Sequence, residues 1–321
     1  MQIYQGKMED FSYQAKSFLF LCKSKNLSDK TISWYSYILE SLMAFLCQEN
    51  LDSRPRYITK AHLRAYLAYL QTKPIVNNLS GKVDKVGLSS HSLKDHFSVL
   101  KIFFGFLEEE GYIAESPLKK EKPPRQEKKI VETFTEAQLQ ALLSQPDQKT
   151  FLGLRDYAIL STLLDTGMRL SELTGLRTQD INWNENLFLV YGKGRKERQV
   201  PFSSKLKRTL WKYSQRRGEI MGQDLFFVDR QGEELSQNAI RQMLRRYGEK
   251  AHLKGVRVSP HTFRHTFAKL WILNGGDPFS LQKILGHTTM EMVRNYVNLA
   301  SGDLQSQHRK FSPLDRMRWE K

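Results

Sequence analysis

Histidine, arginine and tyrosine come together near the C-terminal end of this chain. The run His261-Thr262-Phe263-Arg264-His265 is followed by Leu285-Gly286-His287 and then by Tyr296. His261 and Arg264 are three residues apart, so on a helix they share one face. A guanidinium stays charged and offers a planar fork, and an imidazole gives or takes a proton near neutral pH. Together they suit a single phosphate. A phenol beside them is a candidate nucleophile for phosphoryl transfer, with the arginine stabilising the charge that develops on phosphorus. Residue type says little about Tyr296, which is one of 13 tyrosines. Its spacing after His287 singles it out, and Tyr191 and Tyr247 suit core or interface roles better. Thr288 and Glu291 fit a capping box, so the helix bearing Tyr296 is expected to begin there, with Val293 and Val297 holding it to a core.

Other stretches must position these groups. Arg169 lies in Thr166-Gly167-Met168-Arg169-Leu170-Ser171-Glu172-Leu173, where Thr166-Gly167 ends a helix. It is the second guanidinium of a clamp, and Glu172 can orient it if the segment is helical. Residues 180–186 read as a turn. Residues 187–191 and 197–202 read as strands joined by Gly192-Lys193-Gly194-Arg195. An ammonium at that tip can protonate a departing oxygen, with Lys193, Arg195 and Lys196 as competing candidates. Residues 236–251 read as an amphipathic helix. Ile240, Met243, Leu244 and Tyr247 face inward, and Arg241, Arg245, Arg246 and Lys250 lie opposite. That basic face is either plainly solvated or binds a nucleic-acid backbone. His261 and His265 have the spacing of zinc ligands on a helix. They lack the companion glutamate and any acidic or thiolate cluster, so no metal is expected.

The chain has 321 residues, enough for two domains, and 50 Lys and Arg against 34 Asp and Glu, a net charge of +16. That excess points to a polyanionic partner, nucleic acid before membrane. No apolar run reaches bilayer-spanning length, and the N-terminus lacks the pattern of a signal peptide. Two cysteines, Cys22 and Cys47, make no disulfide framework. A reduced, cytoplasmic setting is the expectation. Residues 1–118 read as a bundle of about four helices. One lies around 10–24, one is capped by Ser28, one by Thr59, and one runs from Leu93 to Leu107 and stops near Gly111. Residues 72–89, polar and without a period, read as a long loop. Residues 119–129 read as a basic linker broken by Pro123-Pro124, and Lys119, Lys120, Arg125, Lys128 and Lys129 are candidate phosphate contacts along it. Residues 130–321 form the second domain.

Arg169, Lys193, His261-x-x-Arg264, His287 and Tyr296 occur in the order and with the final close spacing of the tyrosine recombinases, the phage integrase and Xer-like family, which this chain resembles. The resemblance implies a mainly α fold of two domains. An N-terminal helical, SAM-like core-binding bundle precedes an α-rich catalytic domain with a small antiparallel β-sheet, and the two clamp a DNA duplex. It implies site-specific recombination through a 3′-phosphotyrosine at Tyr296, for integration and excision or for resolution of a mobile element or replicon. Neither metal nor nucleotide cofactor is needed. It favours Lys193 as the acid, makes His287 a phosphate donor and His265 a buried structural residue behind the site. It further implies a homotetramer on two double-stranded DNA sites, with the C-terminal tail packing on a neighbour. The chain shows no additional N-terminal domain of the kind that arm-binding integrases carry, which points to an Xer or mobile-element type. The rival expectations are a type IB topoisomerase, which relaxes one duplex with similar chemistry, and a non-cleaving DNA-binding regulator of the same fold.

Overall fold

In a computed structural model the chain divides into two compact units, Met1–Lys129 and Ile130–Lys321. The structure describes residues 10–76, 83–126, 132–192, 197–218, 224–286, 289–300, 308–309 and 312–316. The fold is mainly helical with small antiparallel sheets. No described helix is long and apolar enough to cross a membrane.

The first unit packs α1 (Phe11–Ser24), α2 (Asp29–Gln48), α3 (Lys60–Thr72) and α4 (Ser90–Glu109). Each of the last three starts at a side-chain cap. Ser28 accepts from the Thr31 N–H, Thr59 from that of His62 and Ser89 from that of Ser92, which satisfies amides that the helix leaves unpaired. Their apolar stripes meet in one core around Leu42, Leu46, Tyr66, Phe103, Phe104 and Leu107. Past α4 the chain turns at Gly111, whose φ is +75°.

Residues 72–89 are not the expected loop. They contain an antiparallel hairpin, β1 (Pro74–Val76) against β2 (Val83–Val86), pairing Pro74 with Val86 and Ile75 with Lys85. β-Branched side chains at both ends of the stretch favour extended backbone. Val76, Val83 and Val86 are exposed, so no buried face imposed a readable alternation. Residues of the expected linker pack back on this unit. Lys119 pairs with Glu108 at 2.6 Å, Glu121 accepts from Lys60 and Arg64, and Lys94 reaches Gln126.

In the second unit, α5 (Glu136–Leu143) and α6 (Phe151–Thr166) lead to a one-turn helix, α7 (Leu170–Thr174). A three-stranded antiparallel sheet follows, β3 (Ile181–Asn182), β4 (Leu187–Tyr191) and β5 (Glu197–Pro201). The segment read as a turn over 180–186 thus opens with a short strand. Ile181 is buried and pairs with Phe188, while Asn186, with φ +56°, makes the turn itself. Then come α8 (Ser204–Arg217), α9 (Gln237–Lys250), α10 (Pro260–Leu273), α11 (Pro278–Leu285), α12 (Glu291–Ala300) and α13 (Pro313–Arg316). α6 buries Ala158, Ile159, Leu160 and Leu163 on several faces, as an interior helix must. A polar network joins it to α9. The Tyr247 hydroxyl and Arg155 both donate to Asp156, and Arg155 also donates to the Val228 carbonyl. On α9 the inward set Ile240, Met243, Leu244 and Tyr247 is buried and Arg241, Arg245 and Arg246 are exposed, as the periodicity predicts.

Gly167 ends α6 in the left-handed region at φ +58°, and a Cβ there would lie 2.5 Å from Cδ1 of Phe267. Gly167→Ala combines left-handed strain with overpacking and should destabilise the second unit by about 2–4 kcal/mol. Urea unfolding followed by circular dichroism should show an earlier transition for that unit and none for the first.

Candidate functional site

α10 begins at Pro260, with Ser259 capping the Thr262 N–H at 3.2 Å. Phe263 and Ala268 are fully buried and Phe267 nearly so, which anchors this helix in the core. Arg264 lies on the same buried side and is 6% exposed. A charge in that position must be satisfied internally. Its Nη1 donates to the Gly167 carbonyl at 2.9 Å and its Nη2 to that of Leu285 at 2.8 Å. The left-handed turn at Gly167 and the C-terminal end of α11 are what receive it.

Arg169 follows two residues after that turn and caps α7 with extended backbone. Its amide donates to Glu172 Oε2 at 2.7 Å, and its Nη1 donates to Oε1 at 3.0 Å. The guanidinium also reaches the carbonyls of Leu285 and Gly286 at 3.4 and 3.2 Å. Leu285 O therefore receives both arginines. The two differ in access, for the Arg169 side chain is 40% exposed.

Glu172 has a side chain only 2% exposed, and it holds a second partner that the sequence reading missed. Arg198, on β5, grips it with two parallel bonds of 2.6 and 2.7 Å and donates through Nε to the Ile284 carbonyl at 2.8 Å. A signal was present. Arg198 is two residues before the fully buried Val200, so strand alternation turns it inward, where a cation demands an acidic partner.

Tyr296 is carried by α12 and is 2% exposed. Its hydroxyl lies 2.5 Å from Nδ1 of His265. His265 is half-buried and hydrogen-bonded to the candidate nucleophile. His261 is exposed at the start of α10, at the rim of a concavity of about 670 Å³ lined by Arg241, Arg245, Val256, Arg257 and Pro260. Lys193, Arg195, His287, Thr288, Lys128 and Lys129 lie outside the described residues. Lys119, Lys120 and Arg125 are exposed, Lys119 in its pair with Glu108.

Burial followed by the neighbouring Arg169 lowers Arg264 to about 10, against the pull of Glu172. For Glu172, burial pushes the carboxyl up, but the Arg198 and Arg169 hydrogen bonds outweigh it and hold it below the usual range. Burial and then Arg264, Arg241, Arg169 and Arg257 push His261 down, and burial, His261 and Arg264 do the same to His265. Burial raises Tyr296, with Arg264 opposing. The site thus holds neutral imidazoles and a protonated phenol beside a compressed group of cations, a charge distribution that a phosphate would relieve.

The phage integrase family model matches residues 132–302, and that of the phage integrase N-terminal SAM-like domain matches residues 16–111. Tyrosine recombinase XerC of Oceanobacillus iheyensis is 33% identical over 300 residues, covering 92% of this chain and 93% of that protein. Tyrosine recombinase XerD of Staphylococcus aureus is 29% identical over 298 residues, covering 92% and 96%. Two solved structures share the fold at 20% identity and a TM-score of 0.70. The XerH site-specific recombinase bound to palindromic difH substrate covers 92% of this chain and 84% of its own. The Tn1549 transposon integrase in complex with transposon right end DNA covers 92% and 98%.

Both histidines titrate below the ordinary value of 6.5 in the folded chain and return to it on unfolding. Between those values the unfolded chain binds more protons, so stability rises with pH through the window and is complete above it. His96 of the first unit, lowered to about 4 by burial, acts with the same sign. Urea titrations at steps between about pH 5 and 7 should show unfolding free energy falling towards acid, and His265→Gln should flatten that slope for the second unit.

Proposed function

The chain belongs to the phage integrase family and is a site-specific DNA recombinase, and we propose that it cleaves and rejoins strands through a 3′-phosphotyrosine at Tyr296. The observation that carries this reading is the convergence of Arg169 and Arg264 on the Leu285 carbonyl, with the Tyr296 hydroxyl held by His265, the residue next to Arg264.

In this reading the scissile phosphate takes the place the cations are crowded around. Arg169, the more exposed of the two, and Arg264 donate to its non-bridging oxygens, and His261 and His287 add further donors. Fixed donors aimed at developing charge are commonly worth about 3 kcal/mol each in the transition state. Glu172 keeps the Arg169 fork turned towards the phosphate. The Tyr296 oxygen attacks phosphorus and gives up its proton to a neighbouring imidazole. His265 is already in contact, and its lowered basicity leaves Nδ1 neutral and able to accept. As the new O–P bond forms, the bond to the 5′-oxygen breaks, and Lys193 supplies the proton that oxygen needs. The 5′-hydroxyl of a second duplex then attacks the phosphotyrosine, which restores the phenol and exchanges strands. The ester stores the energy of the broken bond, so resealing needs no nucleotide.

Arg241, Arg245 and Arg257 beside His261 are the residues we assign to the flanking backbone, with the basic residues of 119–129 and Arg195 as further phosphate contacts. The exposure of Arg241, Arg245, Arg257, Lys119, Lys120 and Arg125 and the net charge of +16 support this. The functional unit is a tetramer on two DNA sites with exchange of the C-terminal tail, a reading supported by membership of the family.

Tyr296→Phe should abolish the covalent adduct on a nicked suicide substrate. It should leave site affinity nearly intact, because the lost hydroxyl contributes under about 1 kcal/mol to binding. Adducts that persist in this variant would place the nucleophile elsewhere. Two differently marked sites incubated together should yield hybrid products, which mere relaxation of one duplex would not. Affinity should fall with a log–log salt slope of about 0.9 per phosphate contacted, measured by fluorescence anisotropy over a salt series, and a flat profile would exclude the basic surfaces named above.

A further inference from the structure

Arg198 differs from Arg169, whose side chain is 40% exposed, because it is turned into the protein. Its side chain is 13% exposed, and its donors point at protein. Two of them close a fork on Glu172 and the third holds the last turn of α11 at Ile284. The same carboxylate takes two bonds from Arg169, one from the backbone and one from the guanidinium. Four donors thus converge on two oxygens. Without Arg198, Glu172 would keep only its own neighbour Arg169, and its side-chain torsions would be free to turn the carboxylate away.

The second attachment matters as much. Arg169 also leans on the carbonyls of Leu285 and Gly286, the continuation of the turn that Arg198 grips at Ile284. Gly286 has φ +64°, and a Cβ there would lie 3.1 Å from Cδ of Arg198, so the backbone passes directly over that side chain. The protein partners that orient Arg169, the carboxylate and the helix end, are therefore both tied to Arg198.

We propose that Arg198 is a positioning residue for strand cleavage, which acts through Glu172 and the end of α11 to hold the Arg169 guanidinium in the orientation that the transition state needs. This rests on the reading of Arg169 as a phosphate-binding group. Arginine is required because a lysine ammonium cannot form two parallel bonds to a carboxylate and a third to a carbonyl in fixed directions.

The test uses the full-length protein and single-turnover cleavage of a suicide duplex. Arg198→Lys keeps the charge and loses the fork. It should slow cleavage about tenfold to a hundredfold while the DNA dissociation constant changes less than about threefold, as expected when only transition-state interactions are lost. In a Glu172→Gln background the same substitution should cost less than it does alone, because the route through the carboxylate is already broken and only the hold on α11 remains. A methylphosphonate at the scissile position replaces one non-bridging oxygen by methyl and removes the negative charge that Arg169 serves. On that substrate the gap between Arg198→Lys and the wild type should close to about threefold or less. A purely structural residue would keep the full gap. The proposal is overturned if Arg198→Lys cleaves at the wild-type rate, if the losses multiply in the double variant, or if the methylphosphonate leaves the gap unchanged. Should Arg198→Lys unfold in urea much earlier than the wild type, the methylphosphonate comparison still decides, because it compares two substrates on one protein. Failure of the wild type to form any covalent adduct would instead overturn the function proposed above, and this inference with it.

Discussion

Three guanidiniums gathered at the end of one short helix are the arrangement on which the second unit depends. The carbonyls of Ile284, Leu285 and Gly286 point out of the C-terminal turn of α11 and accept from Arg198, Arg264 and Arg169. A helix end leaves such carbonyls without partners and carries partial negative charge, so it is a natural seat for cations. Glu172 provides the remaining counter-charge. Bringing like charges together inside a protein is costly, and removing Glu172 would leave the arginines without their counter-charge. Burial, and then the neighbouring Arg169, lowers the proton affinity of Arg264. A protein that holds cations in this state has prepared a place for an anion before one arrives.

The proposed nucleophile is held differently. Tyr296 is buried and paired with His265, and its phenol is less acidic than usual because burial outweighs the nearby arginine. Activation therefore depends on what replaces that environment when a phosphate is bound, and not on a phenolate kept ready. The neutral imidazoles fit this requirement, since a protonated histidine beside the arginines would add charge where there is already too much.

Two separate cores support the two units, and the proposed site lies in the second. The second core is built round α6 and the aromatic residues Phe188, Phe226, Phe227 and Phe263. α6 ends in the Gly167 turn, which directs one carbonyl to Arg264 and starts the segment that bears Arg169. Packing and chemistry share the same turn, which explains why a glycine stands there. Surface cations such as Arg245, paired with Glu249 in full solvent, add little to stability and remain available for a polyanion.

Residue order and spacing were enough to read the helical class, the amphipathic α9 and the strand pair 187–201, which rest on local periodicity, and they single out His261, Arg264 and Tyr296 as candidates through a motif with a fixed offset. The hairpin at 74–86 was not legible, since its valines are exposed and bury no face that would imprint a period. Ile181–Asn182 went unrecognised as a strand because two residues are too few to show one. Arg198 escaped for another reason. Its meaning comes from Glu172 and Ile284, which lie far from it along the chain and meet it only when the sheet is packed against α7 and α11. The pairing of Tyr296 with His265 is of the same kind, as two helices had to dock before one imidazole was chosen over another. Types and local geometry are written along the chain, whereas the choice of partner for a buried charge or a buried phenol is made by long-range packing.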